Sequence, residues 1–333
     1  MKSPTRTPRL EDVAQLAGVS SATVSRFVNN PQVVAAETGK RIRAAIAQTG
    51  YVPNAIAGSL ATSRSRLVSV MIPDISPSVF NSTVEAMIDE LTAEGKVVMI
   101  GLTGPDFARL GAQVDAALAR QAEAIILTGP MPDEALNAKL RARSTTVIQT
   151  WGLPEEPLDV AVGFSHAAVG EESAAFAIRR GYRRAHLVST VGLRAERRRD
   201  GFRRRWAEAG LPDPTQELFP IPLHFGHGRA AFRTMRRMAE QPDLVVCSSD
   251  WVAQALIVEA QAAGLRVPDD LAVLGFGNMA FAAEMRPTIT TVEIDGTRIA
   301  RECAAMLRQR ALSQEIVERR IDVGFRLVVR ESA

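Results

Sequence analysis

Between Ser20 and Asn29 the chain reads SSATVSRFVN, which gathers Ser20, Ser21, Thr23, Ser25, Arg26 and Asn29 into ten consecutive residues. No histidine accompanies these hydroxyls to activate one as a nucleophile, the nearest in sequence being His166. The chemistry left to such a set is hydrogen bonding. Hydroxyls and an amide suit phosphate oxygens, and a guanidinium suits the paired acceptors of a guanine edge. A second set, RAERRRDGFRRRW from Arg194 to Trp206, crowds arginines before an apolar helical face; its bland reading is a solvated surface. His224 and His227 form an HxxH without further residues at metal-ligand spacing, so no metal is expected there. Paired carboxylates, a nucleophile with its base, and a phosphate-binding GxGxxG are not evident, which argues against an enzyme and needs no cofactor.

The elements that position the first set are legible locally. In LEDVAQLAG the apolar residues Leu10, Val13, Ala14, Leu16 and Ala17 recur at helical spacing, with Glu11 and Asp12 in the first turn where the helix dipole favours them. Gly18 permits a left-handed cap, and Ser20 caps a second helix running from Ser21 to about Val28. On that helix Ala22, Thr23 and Arg26 fall on one side while Val24, Phe27 and Val28 pack inward. A third helix, from about Ala36 to Thr49, closes a small core through Ile42, Ala45 and Ile46. Charge follows the same division: residues 1–66 carry nine Lys or Arg against three Asp or Glu, whereas the remainder carries thirty-one against thirty-four. A basic head on a nearly neutral body points to a polyanionic partner for the head.

From Leu67 the pattern changes. Short buried runs (LVSVMIPD, KVVMIGLTG, AEAIILTGP, TTVIQTW) alternate with helical stretches, and a second set (VAVGFSH, AHLVSTVG, QELFPIPL, PDLVVCSSD, LAVLGFGN) repeats the scheme. Such βαβ repetition requires parallel sheets, and two α/β lobes joined by crossings near Gly163, Thr291 and Ile321 would enclose a cleft at the strands' carboxyl ends. The 333 residues suffice for two such cores and a small module. Cys247 and Cys303 stand apart without a CxxC partner, no apolar leader opens the chain, and no run reaches the roughly 18 apolar residues of a membrane span. A reduced, cytoplasmic setting with no membrane partner is the expectation.

DVAQLAGVSSATVSRFVNN, followed by GYVPNAIAGSLATSRS, closely resembles the head of the lactose and galactose repressor family of bacterial transcription regulators. The resemblance implies an α/β protein with an N-terminal three-helix helix-turn-helix head at 1–50 and a hinge helix and linker at 51–66. A two-lobed parallel α/β effector domain, similar to periplasmic sugar-binding proteins, would fill 67–333. Its first lobe would comprise about 67–163 and 292–321, and its second about 164–291 and 322–333. By position, Ser21, Ala22 and Arg26 resemble base-reading residues of a recognition helix docked in the major groove of double-stranded operator DNA. Ser20, Thr23, Ser25 and Asn29 resemble phosphate clamps, and Tyr51 and Asn54 backbone contacts at the hinge. Ala57 and Leu60 match the minor-groove hinge helix, whose leucine wedges a base step as two copies pair. The hinge stretch is short, and its Gly58 and Ser59 make it too weak a helix to persist without a partner.

For the cleft, the strand ends and the resemblance together bring forward Phe80, Asn81, Thr128, Trp151, His166, Arg198, Ser249, Asp250 and Asn278 as effector contacts. Trp151 would cover the apolar face of a sugar. Arg198, three residues before Gly201, matches the family's ligand-gripping arginine, and a bidentate guanidinium suits a carboxylate or paired hydroxyls. His166 is either a second contact to a carboxylate or an oriented structural histidine. Gly277 stands where the family often has an acid, which removes a partner for neutral-sugar hydroxyls. EEPLDVAVGFSH, LRVPDDLAVLGFGN and IDVGFRLVVRES resemble the gluconate-operon repressor branch, so the implied effector is a sugar acid such as gluconate. A homodimer on an inverted-repeat operator is implied, with release by effector or tightening by a corepressor both open. A transport-type sugar-binding protein and a sugar-acid enzyme of the same fold are the alternatives.

Overall fold

The head is built by turn chemistry. Helix α1 (Leu10–Ala17) begins where the Asp12 carboxylate accepts the Arg9 backbone N–H at 2.7 Å. It ends at Gly18, whose φ of 63° folds the Gly18 and Val19 N–H groups back onto the Gln15 and Ala14 carbonyls. The Ser20 hydroxyl then accepts the Thr23 N–H at 3.2 Å and opens α2 (Ser21–Asn29). A short 3-10 turn, Pro31–Val33, leads into α3 (Ala36–Thr49). Val13, Ala14, Ala17, Val24, Phe27, Ile42 and Ala45 form the head's buried core. The computed structural model describes residues 6–52, 65–75, 79–104, 106–129, 133–143, 145–312, 314 and 316–333. Asn54, Ala57 and Leu60 lie outside the described residues, as does the side chain of Asn29.

The chain divides after Arg66 into two compact units, and the second runs from Leu67 to the end. Its strands are β1 (Leu67–Ile72), β2 (Val97–Leu102), β3 (Ala124–Thr128), β4 (Thr146–Thr150) and β5 (Val160–Gly163), then β6 (Ala185–Thr190), β7 (Thr215–Phe219), β8 (Leu244–Cys247), β9 (Ala272–Phe276) and β10 (Thr290–Glu293), and finally β11 (Arg320–Asp322) and β12 (Arg326–Val328). They form two sheets, ordered β11-β5-β4-β3-β1-β2 and β12-β10-β9-β8-β6-β7. Every pairing is parallel except β10 with β12. Strands β3 and β4 are buried along their whole length, as expected where helices cover both faces of a parallel sheet.

Helices α4 (Asn81–Ala93), α5 (Leu110–Ala119) and α6 (Glu134–Arg141) belong to the first sheet, and α7 (His166–Arg179), α8 (Leu193–Glu208), α9 (Phe225–Met235) and α10 (Asp250–Ala262) to the second. Helix α11 (Gly296–Ala311) returns to pack on α4. Strand β10 pairs with β9 through Val292, and Asp295 then caps α11 by accepting the Arg298 N–H at 2.8 Å. Strand β11 pairs with β5 through Asp322, which stands beside Gly163 in the first sheet. Cys247 and Cys303 are buried free thiols, and burial pushes both up in pKa.

Two glycines set the spacing of α7 and α8. A Cβ on Gly170 would stand 2.0 Å from the Arg198 carbonyl oxygen, and one on Gly201 would stand 2.1 Å from the Ala167 carbonyl oxygen. The backbones touch where side chains would otherwise intervene. This contact brings the start of α7 and the middle of α8 together at the mouth between the sheets. Among the described residues no helix is long and apolar enough to cross a membrane.

Candidate functional site

In the head, Val24 and Phe27 of α2 are buried while Ala22 and Arg26 face outward, so the helix presents a short polar strip rather than an apolar one. The Ser20 and Thr23 hydroxyls lie 2.9 Å apart at its amino end, where the helix dipole and the first amides favour a phosphate. Ser21 and Ser25 are half-buried on the flanks. Tyr51 is half-buried against the head's own core, and its N–H bonds the Thr49 hydroxyl at 3.3 Å. Arg43 of α3 lies with its guanidinium carbon 5.3 Å from the centre of the Phe27 ring of α2 and is held there by cation–π attraction.

The second unit holds a cavity of about 550 Å³ at the carboxyl ends of β1, β4, β6, β8 and β9, as the rule for open parallel sheets requires. Phe80, Trp151, Ile221, Leu223 and Phe276 supply its apolar walls. Its polar groups are Asp74, Asp106, Thr190, Ser248 and Ser249, with His166, Arg194 and Arg198. Trp151 adopts a positive φ of 59°, donates its indole N–H to Thr83 at 3.1 Å, and meets Phe80 edge-on at 4.7 Å between centroids. That bond fixes the ring plane.

His166 and Arg198 form one unit. The His166 Nε2 lies 2.9 Å from the Trp151 carbonyl oxygen and so carries the proton; Nδ1 then accepts an Arg198 N–H at 3.0 Å. Burial, with Arg198 and Arg194 beside it, holds His166 well below the usual histidine range and keeps it neutral. Arg198 stacks over Phe276 at 4.4 Å, and burial, with Arg194 and Arg199 nearby, lowers its pKa to about 9. The oriented histidine is therefore what the geometry delivers: His166 aims Arg198 and spends both its nitrogens doing so.

Arg194, one helical turn before Arg198, was not singled out by the sequence. It lines the same cavity with its Cζ 5.1 Å from the centre of the Phe80 ring, and burial lowers its pKa to about 10 against the opposing pull of Asp74. The signal that could have found it is the i, i+4 spacing to Arg198, which puts both side chains on one helix face. Arg199 is not a solvated residue either, for its guanidinium donates to the Ser189 hydroxyl at 3.1 Å and the Thr190 carbonyl at 2.7 Å. Arg203, Arg204 and Arg205 do pair with surface acids. Ser248 is a further cavity group that the sequence reading passed over.

Four expected effector contacts stand elsewhere. Asn81 is exposed at the first position of α4, away from the cavity lining. Thr128 is buried with its hydroxyl 3.4 Å from that of Thr150. Asp250 is fully buried over Gly275, accepting from the Thr291 hydroxyl at 2.6 Å and the Met279 N–H at 2.8 Å. Burial raises its pKa despite these donors. Asn278 spends its amide on Glu293 and Arg330, each at 2.7 Å. Asp250 and Asn278 thus bind β8, β9 and β10 together, while Phe80, Trp151, His166, Arg198 and Ser249 do line the cavity.

Gly277 has a φ of 121°, and a Cβ there would stand 2.9 Å from Val79. An acid at this position would therefore be strained by the backbone and crowded by Val79. His224 and His227 lie 3.6 Å apart between ring centres, with His227 stacked on Phe219, and among the described residues no three potential metal ligands come together.

Residues 9–54 match the bacterial regulatory proteins of the lacI family, and residues 174–333 match the periplasmic binding protein-like domain. The chain is 31% identical to an HTH-type transcriptional regulator GntR of Pseudomonas aeruginosa, over 98% of this chain and 95% of the relative. Its fold is similar to that of a lacI-family transcriptional regulator from Silicibacter pomeroyi, with a TM-score of 0.89 and 26% identity over 98% of this chain and 99% of the other. It is also similar to the transcription regulator GntR from Chromobacterium violaceum, with a TM-score of 0.76 and 28% identity over 80% of this chain and 98% of the other. With a helix-turn-helix head joined to a two-sheet domain that encloses a polar-ended cavity, the chain belongs to the lacI family of DNA-binding transcriptional regulators.

Proposed function

We propose that the protein is a homodimeric repressor of a sugar-acid catabolic operon, with an anionic sugar acid such as gluconate as its effector. The observation that carries the effector class is Arg198: a half-buried guanidinium aimed by His166 and Phe276, facing a cavity with no carboxylate within 4.0 Å of it among the described residues. A cation so placed favours an anion over a neutral sugar, since a carboxylate adds Coulombic attraction and paired acceptors matched to the guanidinium fork. The blocked position at Gly277 works in the same direction by denying a carboxylate to sugar hydroxyls. The names of the GntR relatives support the same branch.

In the head, Arg26 with Ser21 and Ala22 would read base edges, and Ser20, Thr23, Ser25 and Asn29 would hold phosphates. Tyr51 and Asn54 would contact the backbone near the hinge, where Ala57 and Leu60 of two copies would enter the minor groove. Two-fold symmetry of the dimer then requires an inverted-repeat operator. Effector releases DNA if it binds the DNA-free arrangement more tightly, and it tightens DNA binding in the opposite case.

The deciding experiment selects genomic fragments with the purified protein and then titrates the recovered duplex with and without gluconate. The expected result is an inverted repeat bound in preference to competitor and released by gluconate but not by glucose. Tightening by gluconate would identify a corepressor, and indifference to every sugar acid would remove the effector assignment.

A further inference from the structure

The two cavity arginines differ in what they lack. Arg198 has His166 and Phe276 around it. Arg194 crosses from α8 of the second lobe to the first, where its guanidinium carbon sits over Phe80 and 3.7 Å from the place a Cβ on Gly129 would occupy. Its Nη1 is buried and has no hydrogen-bond partner among the described residues. A charged donor left unmade in apolar surroundings is costly, more so than a neutral one. Phe80, Phe107 and Leu193, which line the same cavity, offer no side-chain acceptor. Other arginines of the same helix show how readily acids are found when a pair is wanted: Arg203, Arg204 and Arg205 each have one.

Two carboxylates face the cavity. Asp106 is exposed at its edge and accepts the Ala108 N–H at 3.2 Å. Asp74 interacts electrostatically with Arg194 but lies beyond the 4.0 Å of an ion pair. Burial raises the Asp74 pKa, and the Arg194 guanidinium pulls it the other way.

We infer that Arg194 holds a second anionic group of the effector, so that the cavity is built for a sugar acid bearing two anionic groups, one on Arg198 and one on Arg194. The inference rests on the reading of Arg198 as an anion site. The second group is a phosphate or a second carboxylate; both offer the paired acceptors a guanidinium takes.

Calorimetry of the full-length protein with gluconate, gluconate 6-phosphate and glucarate tests it. The wild type is expected to bind at least one of the two doubly charged acids roughly tenfold or more tightly than gluconate, the value of one charge-assisted bond. Which of them gains tells phosphate from carboxylate. Arg194→Met should bring that ratio to about one. Asp74→Asn, which removes a carboxylate that interacts with Arg194, should preserve or widen it. Equal wild-type affinities, a ratio unchanged in Arg194→Met, or a ratio narrowed in Asp74→Asn would overturn the assignment. Binding of gluconate with no gain for either doubly charged acid overturns this inference alone, whereas absence of binding by all three acids removes the sugar-acid reading with it.

Discussion

Replacing Gly170 by alanine tests whether helix spacing sets the geometry of the cavity. The added Cβ would lie 2.0 Å from the Arg198 carbonyl oxygen and 2.7 Å from the Phe202 nitrogen, all of them backbone atoms with nowhere to rotate. Relief even to 3.0 Å, the closest approach real Cβ atoms show, moves α7 and α8 apart by about 1 Å at this point. His166 rides on α7 and Arg198 on α8, and their bond of 3.0 Å then lengthens past hydrogen-bonding range. Overpacking of this kind costs about 1–3 kcal/mol of stability. Loss of the bond that aims Arg198 removes a further charge-assisted contact, worth about 1.5–3 kcal/mol or roughly 10- to 150-fold in effector Kd. Urea unfolding followed by far-ultraviolet circular dichroism reads the first quantity, and calorimetry with the effector reads the second. Gly111→Ala is the control: it lies in α5 with nothing within 4 Å of its would-be Cβ, and should stabilise by about 0.5–1 kcal/mol. A Gly170→Ala protein with an unchanged urea midpoint and an effector Kd within twofold of the wild type would refute the reasoning.

Two further outcomes follow from single residues. Ser20→Ala removes the cap of α2 and should cost the head about 1 kcal/mol, seen as a roughly fivefold faster exchange of the Thr23 amide in the full-length protein; unchanged exchange would show that the cap is idle. His186 is buried with Nδ1 2.8 Å from the Thr215 hydroxyl and Nε2 without a partner among the described residues, and burial lowers its pKa to about 4. Its unfolded form titrates near 6.5, so below that pH the unfolded chain binds the extra proton and stability falls, by about 2 kcal/mol at pH 5 and with no further loss well below pH 4. His186→Asn should flatten this part of the pH–stability curve, and an equally steep curve would assign the effect to other groups.

How much of this was legible in the sequence depends on the range of the interactions. The head was readable because its determinants are three or four residues apart: Gly18 folds amides back onto α1, and Ser20 caps Thr23. The βαβ alternation of the second unit was readable for the same reason, since strands such as β1, β3, β4 and β9 carry their own apolar runs. The cavity was less so. Asp250 and Asn278 stand at strand ends like true cavity residues, but Thr291, Glu293 and Arg330, far along the chain, turn them inward as structural ties. Arg194 and Arg199 looked like members of a solvated basic run because nothing local marks which side of α8 faces the first lobe. Arg198 was found through the family resemblance, and Gly201, three residues on, has the missing side chain that lets α8 approach α7.

The glycine at 277 has an evolutionary corollary. Because its backbone is left-handed and Val79 fills the space above it, a carboxylate cannot be acquired there by one codon change without a clash. A descendant drifting toward uncharged sugars would first have to shrink Val79 and re-form the turn after β9, two steps that are unrewarded until the acid arrives. On the proposed reading, a preference for charged ligands would in this sense be ratcheted: easy to keep by neglect, and reversible only through intermediates that fit neither class of ligand.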